Sequence, residues 1–450
     1  MCIKRGVLCE YNSFQVFGAS SSAGEGGGGD VVRLEEKPVG NRLWWFGPYS
    51  DWLRVVKMVN PLALSQEELF SFLNKFFVES NCLLNFPFVR SDRNPIMDPI
   101  KMLGPKYPVI QNVIYTVVSN ALETQCKDSR WREVKDQFMD VSYGSLVRLI
   151  SEENGFEEDV CTLFGVLLLL SERSTGYAPL WRTHLRGASG LLERHIDKTG
   201  YSNPEYPIAQ AVETLYCVVR TWFSIVETAA VLTTTKGGSV SSPDTLIKAL
   251  DDTPFVTRVP GLYFNGFNIA KGYGQDLVPL FSRTAVLVFQ QKNNLLTHPE
   301  AVKSAKDILS DLETVNKQVF TFPDQFDDTW TKLLNCSHLL FCQSLRLSLL
   351  RNILQKDPKD LKDLLKEFLD VAETMPFAYC VSIGIHWPLF TAGLCALQIE
   401  HRAKIEEFLQ SIIGRGIHVA RVSLHRLHLW WESLDFDQDP LQTDVDSIVL

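Results

Sequence analysis

Apolar residues recur every three to four positions along most of this chain, the spacing of one face of an α-helix. Leu69, Phe72, Leu73, Phe76 and Phe77 form one such stripe. Ser65 precedes it and Glu68 follows three residues on, the pattern in which a cap hydroxyl and a carboxylate satisfy each other's free backbone amides. Asp357-Pro358 reads as a second start, a capping carboxylate followed by proline at the first helical position. Behind it Leu361, Leu364, Leu365, Phe368, Leu369 and Ala372 keep to one face, and Ile405, Phe408, Leu409, Ile412 and Ile413 do the same further on. Val109 to Leu122 reads as another helix. Few stretches alternate as strands do, and 197–207, 235–244 and 251–275 read as loops. No fixed period repeats, which disfavours a solenoid. The pattern therefore predicts an all-α fold with one large multi-helix domain over residues 41–431.

The flanks have a different texture. Residues 1–11 are compact and slightly basic, and 12–40 have linker composition. Ser20 to Asp30, rich in Gly and Ser, cannot bury surface and reads as a flexible tether. Gly24, Gly26 and Gly29 match a dinucleotide-binding fingerprint by spacing, but that fingerprint works only as a turn from a buried strand into a helix, and neither flanks it here. Residues 432–450 hold six acidic residues and no Lys or Arg, interleaved with Leu434, Phe436, Leu441, Val445, Ile448, Val449 and Leu450. Such a tail is either an ordinary solvated terminus or an amphipathic segment that folds on a coactivator.

Composition narrows the function classes. Hydrophobic residues make up 45% and charged residues 22% of 450, which excludes a wholly disordered chain. Lys and Arg total 44 against 53 Asp and Glu, a net charge of -9, so the chain does not coat nucleic acid by bulk charge. The longest apolar run, Val160 to Leu170, is broken by Thr162 and is too short for a membrane span, so no membrane partner is expected. Ten scattered cysteines are no disulfide framework and fit a reducing compartment, most of them as small buried hydrophobes.

Several candidate chemistries weigh little. Trp181, His184 and Arg186 could line a cleft, but no nucleophile with a base stands near them. A packed corner, with His and Arg bonding backbone carbonyls, is the better reading. His418, His425 and His428 can share a helix face, yet the interleaved Arg415, Arg421 and Arg426 make that face a solvated one. Asp435, Asp437, Asp439 and Asp446 mimic a calcium loop, but Pro440 stands where the loop needs glycine. Asp251-Asp252 and Asp327-Asp328 evoke an all-α enzyme acting on an apolar substrate, though the next aspartate of such a metal motif is missing. The chain is expected not to be an enzyme; a helical adaptor without ligand is the other rival.

Cys2 and Cys9, enclosing Ile3-Lys4-Arg5-Gly6-Val7-Leu8 and followed by Glu10-Tyr11, are too few to hold a structural zinc alone. The whole string resembles the end of the fungal zinc binuclear cluster, in which six cysteines hold two zinc ions and a short basic loop separates the last two. Three further stretches carry the resemblance to fungal zinc-cluster transcription factors. Asn94-Pro95-Ile96 leads through Leu103 and Pro108 into a helix; Trp181-Arg182-Thr183-His184-Leu185-Arg186-Gly187-Ala188 is the sharpest match; and Trp387-Pro388-Leu389-Phe390-Thr391-Ala392-Gly393 is followed by Arg402 and by Trp430-Trp431. The latter two are similar to the branch that includes the sterol-sensing and the lysine- and arginine-pathway regulators of yeasts.

The resemblance implies a helical regulatory domain of a nuclear transcription factor, partnered in full-length form by promoter DNA, zinc and a coactivator, with a homodimer as a further expected assembly. Residues 1–11 would be the remnant of the DNA-binding module, with Cys2 and Cys9 as its fifth and sixth cysteines. The first four have no counterpart, so the resemblance implies either an N-terminally truncated gene model or a form without DNA binding. Either way this chain is expected to hold no zinc and to bind no specific DNA. It also implies a small-molecule or lipid effector: the helices around Trp387, Phe390 and Gly393 would enclose it, or those small residues simply serve tight packing.

Overall fold

A computed structural model of the chain describes residues 56–77, 94–173, 180–198, 206–323, 326–375, 385–414, 419–435 and 449. Residues 1–11 and 12–40, expected to be a DNA-binding-module remnant and a linker, and most of the tail therefore lie outside the described residues. The helices are α1 Gln66–Phe76, α2 Met97–Leu103, α3 Pro108–Cys126, α4 Ser129–Ser151, α5 Phe156–Arg173, α6 Leu180–Glu193, α7 Pro207–Thr233, α8 Pro243–Leu250 and α9 Thr253–Val256. After a small meander come α10 Leu277–Lys292, α11 His298–Val315, α12 Asp328–Asn352, α13 Lys362–Thr374, α14 His386–Gly393, α15 Ile399–Gly414 and α16 Val419–Asp435. The fold is all-α. The Ser65–Glu68 capping box is formed on both sides at the start of α1. Asp357 caps a 3₁₀ turn, Pro358–Leu361, that runs directly into α13. Cys161, Cys217, Cys336, Cys342 and Cys395 are buried and unbonded, and burial pushes the Cys217 and Cys342 thiols up to about 12.

The longest helix organises the core. Tyr206-Pro207 opens α7 with proline where no amide is needed, and α2, α5, α8, α9 and α10 pack around it. Among the described residues α7 alone is long and apolar enough to cross a membrane; 78% of its most apolar window is buried inside the protein. Glu213, Arg220 and Glu227 recur at seven-residue spacing along it and all three are buried. Buried charge needs partners. Glu213 pairs with Arg258. Arg220 donates to the Lys248 carbonyl at 2.8 Å and lies 4.5 Å over the Phe255 ring. Glu227 accepts from the Ser239 and Val240 amides at 2.7 and 3.0 Å and from the Ser239 hydroxyl at 2.8 Å. Three ionisable groups thus fix the loop after α7, the α8–α9 corner and the segment beyond it.

The stretch 251–275, expected to be loop, holds α9 and a three-stranded antiparallel meander: β1 Tyr263–Phe264, β2 Phe267–Asn268 and β3 Tyr273–Gly274. Asn265 and Gly266 make the first turn, both with positive φ (46° and 84°), the conformation that asparagine and glycine tolerate. Asp252 pairs with Lys271 at 2.9 Å, both buried, and the Asn268 amide bridges Asp252 and Gln275 at 3.1 Å each. Asp327 caps α12 by accepting from the Trp330 amide. The aspartates that evoked an enzyme therefore have structural work.

His338 ties α12 to this meander. Its Nδ1 accepts from the Gly274 amide at 3.2 Å while Nε2 donates to the Val315 carbonyl at 3.0 Å, so the neutral ring makes both bonds. Burial holds the imidazole below its ordinary 6.5. The unfolded chain then takes up this proton first as pH falls, so the contribution of His338 is full above about pH 6.5 and is lost below it. Thermal melting at about pH 7.5 and about pH 5.5 should show a larger acid drop for the parent than for His338→Gln. Equal drops in the two proteins would assign the acid sensitivity to other groups.

Candidate functional site

Trp387 and Pro388 lie in the first turn of α14, where Pro388 costs no hydrogen bond, and the helix stops at Gly393. Its end is closed by side chains from α15 and α16. The Trp431 and Trp430 indoles donate to the Gly393 and Leu394 carbonyls at 2.9 and 3.1 Å, and Arg402 donates to the Ala396 carbonyl at 3.1 Å. Carbonyls left free by helix termination are thereby satisfied. His386 adds a buried contact with the Ser423 hydroxyl at 2.7 Å.

The three candidate pocket residues do not share one wall. Trp387 faces α10 and α12: its ring lies 5.3 Å from Phe281, edge-on, and 6.0 Å from Phe341, stacked. Tyr273 of the meander completes that aromatic cluster, 4.7 Å from Phe341. Phe390 and Gly393 face α16. The Arg426 guanidinium lies 4.7 Å over the Phe390 ring. A Cβ on Gly393 would stand 2.6 Å from a methyl carbon of Leu427, so glycine is there because that side chain fills the space. All three residues are buried. The surroundings are largely apolar, with the Arg426–Phe390 cation–π contact and the buried His386–Ser423 hydrogen bond as their polar features. What this arrangement can do is hold apolar surface.

A second convergence lies at the end of α7, and sequence reading passed over it. Arg182, inside the Trp181–Ala188 string, donates to the Gly237 carbonyl at 2.8 Å and to the Thr234 hydroxyl at 3.3 Å. Its guanidinium also covers the Trp181 ring at 4.4 Å. The packed corner expected of this string is present, but Arg182 makes it. Arg186 is exposed, His184 stacks on Tyr143, and Gly187 meets Ile150 closely. Lys292 of α10 donates to the Val231 and Thr234 carbonyls, and Arg426 of α16 donates to the Thr233 carbonyl at 2.9 Å. Cations at a helix C-terminus complement its exposed carbonyls and dipole. Burial pushes the Glu227 carboxyl up, against the three donors and Arg182. The Trp181–Ala188 string and α16 are therefore bound to one turn of the core helix.

Cys2, Cys9 and His418 lie outside the described residues. Of the remaining histidines of that face, His425 is exposed and His428 meets Glu406 at 3.3 Å. Among the described residues no three His, Cys, Asp or Glu side chains gather as a metal site would need.

The profile of the fungal specific transcription factor domain matches residues 71–444, most of the chain. The chain belongs to that family. It is a fungal transcription factor regulatory domain with a role in regulating transcription. No curated protein matches the chain, and no solved structure does. The matched span takes in the Trp181–Ala188 string, the α14 segment and the Trp430-Trp431 pair, the stretches on which the resemblance rested.

Proposed function

We propose that this domain is the effector-sensing part of a zinc-cluster regulator of RNA polymerase II transcription, working in the nucleus. The observation that carries the reading is the family match over 71–444. The apolar surroundings of α14 support an apolar small molecule or lipid as effector, with Trp387, Phe390 and the Gly393 face as its candidate contacts. The ligand would enter by displacing side chains that now pack there, Leu427 first, so that binding and the position of α16 are linked. Promoter DNA and zinc would be the partners of a complete zinc cluster. Cys2 and Cys9 supply two thiolates where a structural zinc takes four ligands, so these two residues alone do not hold the metal. A homodimer and a coactivator complete the partners proposed, the latter for the acidic-apolar tail.

Native mass spectrometry of the full chain, purified from a fungal extract, tests the reading. A retained apolar molecule that Gly393→Trp fails to retain is the expected result. A chain that carries nothing from any extract would instead be a helical adaptor. The tail has its own test. Residues 432–450 fused to an unrelated DNA-binding domain should activate a reporter, and Ala at Phe436 and Leu441 should cost more than Asn at two of the aspartates. The apolar anchors carry contact energy while the acids steer and solubilise. An equal or greater loss from the aspartate changes would contradict the anchor mechanism.

A further inference from the structure

We propose that the core holds a second binding site, for a small organic monocarboxylate, at the corner where α7, α8, α9 and the meander meet. Its anchor is the planar edge of the Arg220 guanidinium. The site is separate from α14 and does not depend on the reading of that helix. Arg220 is 2% exposed. Its Nη2 donates to the Lys248 carbonyl at 2.8 Å. Nε and Nη1 are buried and meet no acceptor among the described residues. Unspent donors on a buried charge are costly, and folded proteins rarely leave them so. The Phe255 ring, 4.5 Å from the guanidinium carbon, draws on the charge but offers no oxygen to the edge. Tyr216, on the same helix, directs its hydroxyl to the His195 and Lys198 carbonyls at 3.0 Å each.

The charges around Arg220 ask for one more anion. Arg220 and Lys271 are buried cations of this corner, and Asp252, 2.9 Å from Lys271, is the buried anion that faces them. Glu213, further back on α7, is taken by Arg258. The exposed pair Lys248–Asp197 balances itself in solvent, and the exposed Asp251 carboxylate accepts from the Thr253 amide at 3.2 Å. Burial pulls the Arg220 guanidinium below its ordinary value, with Tyr216, Asp251 and Asp252 opposing that shift. A single carboxylate would restore the balance, and a planar one suits the donor edge of arginine; a phosphate dianion would carry one charge too many. Leu250, Phe255 and Val256 are the buried apolar side chains of the corner, so the rest of the molecule is small and apolar. The cover is thin. α9 is four residues long, its Thr253 and Pro254 are exposed, and the Gln275 amide holds the Thr253 hydroxyl at 2.8 Å. Displacing this one turn opens the path to Arg220, and a bound carboxylate fastens α8 and α9 to α7.

The test uses the full chain and two pairs of matched probes, benzoate with benzamide and butanoate with butanamide, at constant ionic strength. The members of a pair share shape and differ in charge. At about ten times its dissociation constant a carboxylate should raise the melting temperature by about 2 °C, and its amide should not. Hydrogen exchange should slow about threefold at the Asp251 and Phe255 amides, which bond within the corner, and stay unchanged across α14. R220K keeps the charge but loses the planar edge, so it should weaken benzoate about fivefold or more. Where R220K does not fold, the paired shifts and the exchange pattern of the parent decide by themselves. No shift with either carboxylate, equal shifts from carboxylate and amide, or an unchanged benzoate affinity in R220K overturns the site. Protection that appears across α14 instead of the corner also overturns it, and leaves the effector reading of α14 standing.

Discussion

Gly393→Trp should lower the melting temperature of the whole domain. The position looks tolerant in sequence, since glycine carries no side chain to lose. In the structure its missing side chain is the space that Leu427 of α16 occupies, a methyl carbon lying 2.6 Å from where a Cβ would stand. The backbone cannot shift away freely, because the Trp431 indole holds the Gly393 carbonyl at 2.9 Å and its neighbour Trp430 holds Leu394. An indole forced into this contact overpacks a closed core and costs about 1–3 kcal/mol or more. Leu427→Ala in the same chain should recover part of that loss, a coupling that a double-mutant cycle measures directly. Melting of Gly393→Trp at the parent temperature would show that α14 and α16 are not in close contact there.

Helix content was legible wherever a local rule governs it. The Ser65–Glu68 box, the Asp357 cap and the stripe from Leu361 to Ala372 depend on residues within four positions of one another, and each stands as the pattern implies. The Asn265-Gly266 hairpin was equally local and was missed. Asn-Gly between Tyr263-Phe264 and Phe267-Asn268 is a strong signal for a two-residue turn, but strands of two residues are too short for alternation to register. The limits of α14 were not local at all. Gly393 ends the helix because indoles from residues 430 and 431 take its last carbonyls, which no window around residue 393 contains. The same holds for the choice between Arg182 and Arg186. Both are arginines in one string, and only packing against the turn at Thr234 to Gly237 makes the first structural and leaves the second in solvent. The tail was divided from the body at residue 432, whereas α16 runs on to Asp435 with Ser433 buried, and Val449 returns to the core.

Glu227→Ala should be the more damaging change, although Glu227 makes no contact with the candidate effector face. The carboxylate is fully buried on the core helix and is the acceptor for two backbone amides and one hydroxyl of the loop after it. Removing it leaves the buried Val240 amide without an acceptor, at about 1–3 kcal/mol for that unsatisfied group, and frees the half-buried Ser239 amide and hydroxyl as well. A void beside Gly238 adds to that, since the Glu227 carboxylate and Val231 occupy the place where a Cβ on Gly238 would stand. The Ser239 and Val240 amides should then exchange with solvent faster, and the contact of Arg182 with the Gly237 carbonyl should loosen. Glu227→Gln should fall between the two, because its amide oxygen still accepts one donor while its amide nitrogen faces the other. Parent-like stability in Glu227→Ala, or a Gln variant as weak as the Ala one, would mean that the loop holds its shape without this carboxylate.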